Sequence, residues 1–457
     1  MRGTHHSTAV VTDRAAAPVP FFALAEDWRA SERACREAIA EVLASGRYVL
    51  GACGARLERA LATYLGAAHV LGTASGTDAL VLALRAAGIG RGDDVVVPAF
   101  SFVASASAVL LVGANPVFAD VVPGEWTLDP DDVARVATPT TRAIIGVDLY
   151  GLPADWPALR RVAASLGAVM VEDAAQAFGA RVARSAAGTL ADYGCLSFYP
   201  TKILGAAGDA GAIVVSDAAA ADAVRALRNH GASTRMHHDR LGLNSRLDEV
   251  QAAVLGARLP YVDAHVTRRR AIAARYSAGL AAFRLGLPAE PDARTHAWNL
   301  YTVDCRSETR RDALAAGLRA RGIGCDVYYP KPVHRQPLFA YRGAPLPVSE
   351  GAARTLLSLP IYPSLDDASV DASSRRSRSC RERSRVARRR ASGPRAARPC
   401  LARRRPSPRA RAHRRIRARR AIPTASVRGA ARCGRRRAGC GVSALFRPRA
   451  LRRAAAP

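Results

Sequence analysis

Only two lysines occur in the 457 residues, Lys202 and Lys331, so the setting of each is informative. Lys202 ends Ser197-Phe198-Tyr199-Pro200-Thr201-Lys202, directly after an apolar run and before the glycine-rich stretch Gly205 to Gly211. An amine at a strand exit among small residues is desolvated, which lowers its pKa and favours the neutral nucleophile that could form a Schiff base with a carbonyl cofactor. The alternative is a lysine on a surface loop. In Val169-Met170-Val171-Glu172-Asp173-Ala174-Ala175-Gln176, an apolar strand ends in acids at its carboxyl end, where ligands bind in open α/β sheets. There Asp173 could meet a ring nitrogen and keep it protonated, or it could simply cap a helix. Ala74-Ser75-Gly76-Thr77-Asp78 reads as a strand-to-helix turn whose free amides and hydroxyls could hold a phosphate, although the same residues would cap any helix.

The elements that must position these groups are legible as alternating patterns. Short apolar runs at Val70–Thr73, Asp94–Val97, Pro116–Asp120, Ala143–Asp148, Ala168–Val171, Gly194–Phe198 and Gly211–Val215 alternate with helix patterns such as Thr77–Ala87 and Pro157–Leu166. This is the signature of an α/β fold with a seven-stranded, mostly parallel sheet buried on both faces. After Ser245 a long helix is expected over Asp248 to Leu280, bent near Pro260. A small α+β segment follows, with a strand at Leu300–Cys305, a helix at Thr309–Arg321 and a Pro/Tyr-rich loop from Tyr328 to Pro347. The chain thus divides into an extension at 1–17 that reads as disordered, a large domain at 18–258, a small C-terminal domain at 259–371, and a tail at 372–457.

The formal charge of +30 suggests a nucleic-acid binder, but the charge is not spread over the chain. The tail holds 30 arginines, no lysine and one acid, Glu382, a net +29, while the other 371 residues are close to neutral. Leu365 to Asp371 reads as the capped start of a last helix, yet the apolar positions that should follow are Ser374, Arg375 and Arg376. A tail of Arg, Ala, Pro, Ser and Gly has the composition of a GC-rich gene read in the wrong frame, so it reads as disordered and frameshift-derived. Phe446 is its one aromatic, too few to stack bases, which argues against nucleic-acid binding. No apolar stretch approaches the ~20 residues of a bilayer span, and the N-terminus lacks the apolar core of a secretory signal. Body cysteines Cys35, Cys53, Cys195, Cys305 and Cys325 are odd in number and lack zinc spacing, so no metal is expected and a reducing cytoplasm fits.

Taken together the motifs are far more specific than singly. Strand, Ser-Gly-Thr and helix are followed by Pro98-Ala99-Phe100-Ser101-Phe102, Glu-Asp-Ala-Ala-Gln, Ser-Phe-Tyr-Pro-Thr-Lys, Asn229-His230-Gly231 and Asn244-Ser245-Arg246. In this order the chain from about Val19 to Asp371 resembles the DegT/DnrJ/EryC1/StrS family of pyridoxal-phosphate-dependent sugar aminotransferases, with the fold type I (aspartate-aminotransferase-like) architecture. The resemblance implies that Lys202 bonds to pyridoxal 5′-phosphate (PLP) and shuttles the proton. It places Asp173 at the pyridine nitrogen, Gln176 near the ring hydroxyl and Phe102 on the ring face. Gly76, Thr77 and Ser197 match phosphate ligands, and Asn244 matches an asparagine that reaches the phosphate of a neighbouring subunit, implying a homodimer. Tyr329, Lys331 and His334 match groups near the nucleotide-sugar, although an exposed loop is the alternative there.

The resemblance further implies transfer of an amino group from an amino acid, L-glutamate, to a nucleoside-diphosphate-linked keto-deoxysugar, at C3. Three positions depart from the family pattern: Asp148 and Phe178 stand where histidine is frequent, and Ile203 replaces an asparagine. Two other readings stay open at this point: a PLP-binding dehydratase or inactive regulatory relative, and nucleic-acid binding through the tail. The last predicts steeply salt-dependent binding, measured by titration at two ionic strengths, that disappears when residues after Asp371 are deleted.

Overall fold

The structure, a computed structural model, describes residues 18–339 and 343–374. The readings made of 1–17 and of the tail beyond Ser374 lie outside the described residues. In chain order the main elements are α1 (Glu32–Ser45), α2 (Ala52–Leu65), β1 (His69–Thr73), α3 (Gly76–Ala86), β2 (Asp94–Pro98), α4 (Ala104–Leu111), β3 (Asn115–Ala119), β4 (Thr141–Val147) and α5 (Trp156–Leu166). They continue with β5 (Val169–Asp173), β6 (Tyr193–Ser197), β7 (Gly211–Val215), α6 (Glu249–Arg258), α7 (Val262–Leu280), β8 (Tyr301–Asp304), α8 (Glu308–Arg319), α9 (Pro347–Thr355) and β9 (Leu356–Leu359).

The seven strands expected from sequence form one sheet in the order β1-β7-β6-β5-β4-β2-β3. Neighbours pair in parallel except β7, which runs antiparallel to both β1 and β6. Near-continuous apolar strands such as Val95-Val96-Val97, fully buried, follow from helices covering both faces. On one face α3 presents Ala79 to Leu84; on the other, α5 contributes Trp156 and Leu159, and α2 contributes Leu57 and Leu61.

Parallel pairing has one consequence that matters for the site. The carboxyl ends of β1, β2, β4, β5 and β6 all open onto the same edge, and β7 begins there at Gly211. Gly211 pairs with both Thr73 and Ser197, and a Cβ on it would stand 2.5 Å from the Ser75 carbonyl. Only glycine lets β7 pass this close to the turn that starts α3.

The helix expected over 248–280 is broken into α6 and α7 by a 3₁₀ turn, Leu259–Tyr261, around Pro260. A second apolar core gathers Ile272, Tyr276 and Leu280 of α7 with β8, β9, α8 and the chain's last described helix. That helix spans 367–374 and buries Val370, Ser373 and Ser374. Serine thus fills two positions of an apolar interface, and each hydroxyl bonds back to a carbonyl one turn earlier, Ser369 and Val370. A Cβ on Gly279 of α7 would stand 2.8 Å from the Ser374 side chain, so the two helices are in close contact. No helix among the described residues is long and apolar enough to cross a membrane.

If this docking contributes to stability, Val370→Ala costs about 1–3 kcal/mol in chemical denaturation. An unchanged midpoint would show that the helix does not pack on the core in solution.

Candidate active site

A cavity of about 660 Å³ opens at the carboxyl edge of the sheet. Lys202, Asp173, Gln176, Ser197, Phe102, Gly76, Thr77 and Tyr329 all line it, brought there by five separate segments. Its phosphate-sized end is the start of α3. Ser75 caps that helix by accepting from the Asp78 amide at 3.1 Å, and Gly76 lies so close to Ser197 that a Cβ on it would stand 2.7 Å from the Ser197 Cβ. Small residues therefore leave free helix amides and two hydroxyls facing one space, the arrangement that binds an anionic group.

Asp173 ends β5 and is almost wholly buried. Burial pushes its carboxyl upward, opposed by hydrogen bonds from Ser105 Oγ to Oδ2 at 2.7 Å and from the Ala175 amide to Oδ1 at 3.2 Å, and by the Lys202 charge. Ser101 Oγ lies 3.0 Å from Ser105 Oγ and extends the chain of hydroxyls. Asp173 is thus a strand-end carboxylate held by a hydroxyl from α4, and the turn at Ala175 is local. Lys202 follows a turn in which its amide bonds to the Tyr199 carbonyl at 2.8 Å. Burial lowers its amine to about 8, with Asp173 pulling the other way, so the neutral, nucleophilic form is far more accessible near neutral pH than for an ordinary lysine.

Gln176 bridges the site. Its Oε1 accepts from the Tyr150 amide at 2.8 Å, and its Nε2 donates to Tyr329 Oη at 3.0 Å. Tyr150 Oη in turn donates to the Tyr328 carbonyl, so the loop carrying Tyr329 is tied to the sheet edge. Phe102 remains half exposed, its ring 6.0 Å from that of Tyr329. A buried acid, an amine of lowered pKa, a helix start rich in donors and an aromatic face suit an aromatic aldehyde cofactor that carries a phosphate.

Two of the expected substrate groups are not in this cavity. Lys331 is exposed and does not line it. His334, expected at the mouth of the site, is only 1 % exposed: Val333 N bonds to the Ala99 carbonyl at 2.8 Å, and the following 3₁₀ turn drives the imidazole inward, where Nε2 meets Glu350 Oε1 at 3.2 Å beside Phe118. Of that segment only Tyr329, with its neighbour Tyr328, faces the cavity. Asn244 pairs with Asn229 and does not line the cavity of its own chain. Two residues that the motif reading passed over belong to the site: Ser105, one helical turn after Ser101, and Asn299, which is among the residues lining the cavity. The i, i+4 spacing of Ser101 and Ser105 was available as a signal for the first; for Asn299 there was none.

Behind Asp173 lies a second acid pair. Strand alternation turns Glu172 to the opposite face from Asp173, where its two oxygens accept from the Gly188 and Leu190 amides at 2.6 and 2.7 Å. Asp148 Oδ1 accepts from the Ala154 amide and Trp156 Nε1, both at 2.9 Å, while its Oδ2 has no amide donor and meets the Glu172 carboxyl. Both carboxyls are fully buried, and desolvation is the main cause that lifts them, Glu172 well above the usual range and Asp148 to about 6. Two buried acids in contact hold one proton between them, with Glu172 donating to Asp148.

The sign of the pH effect follows. Both pKa values lie above their unfolded values of 3.8 and 4.5, so the pair's stabilisation is complete below those values and declines as pH rises, the Asp148 part between 3.8 and about 6 and the Glu172 part continuing above that. Asp148→Asn leaves one carboxylate facing an amide donor and removes the second ionisation. Its melting temperature therefore falls less than that of the parent between about pH 6 and about pH 8.5 in thermal unfolding. Equal falls would show that the two carboxyls do not share a proton.

Comparison with known proteins agrees with this geometry. Residues 30–373 match the DegT/DnrJ/EryC1/StrS aminotransferase family. The chain is 44 % identical over 333 residues to UDP-N-acetyl-3-dehydro-alpha-D-glucosamine 3-aminotransferase of Acidithiobacillus ferrooxidans, covering 73 % of this chain and 89 % of that protein. Among solved structures, DesV of S. venezuelae superposes with a TM-score of 0.77 at 43 % identity, covering 79 % of this chain and 98 % of that one. NtdA of Bacillus subtilis with bound cofactor PMP superposes at 0.76 with 31 % identity, covering 81 % and 86 %. The fold is therefore that of the PLP-dependent aminotransferases, and the chain belongs to the DegT/DnrJ/EryC1/StrS aminotransferase family.

Proposed function

We propose that the chain is a PLP-dependent aminotransferase that takes an amino group from an amino acid, L-glutamate, and delivers it to the C3 keto group of a nucleoside-diphosphate-linked deoxysugar. The observation that carries the reading is the pairing of a buried, partly neutral Lys202 with a buried, hydrogen-bonded Asp173 in one cavity. The sugar class and position rest on the relative that acts on a 3-dehydro sugar carried on UDP. Bound at Lys202, PLP supplies an electron sink for the carbanion left when the substrate's carbon loses its proton.

The protein's own residues supply the rest. Asp173 keeps a proton on the ring nitrogen, and Ser105 holds the carboxylate in the form that can do so. The amine of Lys202 would take the α-proton of the donor and pass it to C4′ of the cofactor, and in the second half-reaction would move a proton from C4′ to the sugar carbon. Gly76, Thr77 and Ser197 would hold the phosphate, Phe102 would cover one ring face, and Gln176, which bonds to Tyr329, would lie near the ring hydroxyl.

Among the described residues lining the cavity, Lys202 is the only basic side chain, yet the substrates carry a diphosphate and carboxylates. A homodimer would bring further donors to the cavity: Asn244 of the partner subunit would reach the cofactor phosphate. Exposed Tyr48, Val49, Leu50, Met236 and Leu241 support such an interface. Five free cysteines support a reducing cytoplasm. The boundary between the large and small domains falls between 258 and 259, at the α6–α7 bend.

The protein reconstituted with PLP is expected to show the visible absorbance of a lysine-bound cofactor, absent in Lys202→Ala and bleached by L-glutamate. Adding a nucleotide-linked 3-keto sugar restores it and yields an amino sugar by mass spectrometry. Cofactor absorbance without bleaching by any amino acid would instead favour a dehydratase or a regulatory relative.

A further inference from the structure

On the far side of the Lys202 turn lies a second, much smaller cavity. It shares Phe22, Thr201 and Lys202 with the active site, and its other walls include Asp27, Arg258, His265 and Arg269. Its volume of roughly 10 Å³ accommodates the centre of one water-sized body.

The two guanidinium groups are the unusual feature. Arg258, at the end of α6, is 5 % exposed and lies over the Trp28 ring with its carbon 4.2 Å from the ring centroid. It makes no salt bridge with Asp27, and its buried Nη1 has no hydrogen-bond partner. Arg269, on α7, is 4 % exposed; its Nη1 donates to the carbonyls of Trp298, Asn299 and Ile361, but its Nε has no partner. Asp27 is the one acid of the cavity and accepts from the Ser364 amide at 3.0 Å. Burial lowers the pKa of both arginines, Arg269 to about 10, and burial together with Arg258 lowers His265, so the imidazole stays neutral near pH 7. Two guanidinium charges thus face one carboxylate, leaving one positive charge uncompensated where desolvation makes that costly.

We propose that this cavity is an anion site that binds one chloride ion between Arg258 and Arg269, at the back of the turn that carries Lys202. The charge calls for a single monovalent anion, guanidinium N–H groups of the two lining arginines supply its donors, and the volume of roughly 10 Å³ excludes a polyatomic anion such as phosphate. The site does not depend on the proposed reaction, since neither arginine lines the active-site cavity.

The test uses the full chain at constant ionic strength, with chloride exchanged for gluconate. Chloride should raise the melting temperature saturably by about 2 °C, bromide should replace it, and Arg258→Met should abolish the dependence. Crystals soaked in bromide should show an anomalous peak within hydrogen-bond distance of Arg258. The proposal is overturned if the cavity holds only water in bromide, if a carboxylate from elsewhere in the chain or from a second copy fills it, or if chloride stabilises the parent and Arg258→Met equally.

Discussion

The site turns on one electrostatic constraint: a buried carboxylate and a buried amine must share a cavity without locking into an ion pair. Desolvation alone would protonate Asp173 and deprotonate Lys202, while mutual attraction would favour the charged form of both. Ser105 and the Ala175 amide break this symmetry. They stabilise the carboxylate directly, so Asp173 can stay ionised without needing a protonated Lys202. The amine keeps a pKa near 8, low enough to act as nucleophile and base and high enough to carry a proton.

The sheet exists, in functional terms, to meet that constraint. Parallel strands deliver their carboxyl ends to one edge, and with them Asp148, Asp173 and Ser197; the antiparallel β7 enters there through Gly211. The second core closes the cavity from the other side. Asp120, just past β3, accepts from the amides of Val348 and Ser349 and from Ser349 Oγ, and so ties the start of α9 to the large sheet. The Val333–Ala99 bond does the same for the loop before it. These ties, and the Gln176–Tyr329 bond, set where the aromatic wall stands.

Charge is distributed unevenly around this frame. Beneath Asp173 two carboxyls share a proton with no cation beside them, and behind Lys202 two guanidinium groups face one carboxylate. The carboxyl pair lies behind Asp173 on the opposite face of β5, and the guanidinium pair borders a cavity that Lys202 also lines.

Local pattern by itself determined the sheet and the reactive pair. Seven short apolar runs spaced by helix patterns can bury their strands only in a covered, mostly parallel sheet, and lysine scarcity together with a strand-end Glu-Asp marks Lys202 and Asp173. Ser-Gly-Thr before a helix announced a donor-rich turn, because capping chemistry is local. What the tertiary structure decided depends on long-range contact. His334 reads like Tyr329 in sequence, yet a bond from Val333 to a distant strand end turns it inward. Glu172 and Asp173 are neighbours in sequence, but the pleat sends them to opposite faces, and only packing supplies Asp148 and Ser105 as their partners. Arg258 and Arg269 look like solvated charges on a helix; burial against Trp28 and three carbonyls is a property of the folded chain alone, since no spacing rule encodes which distant backbone a side chain will meet.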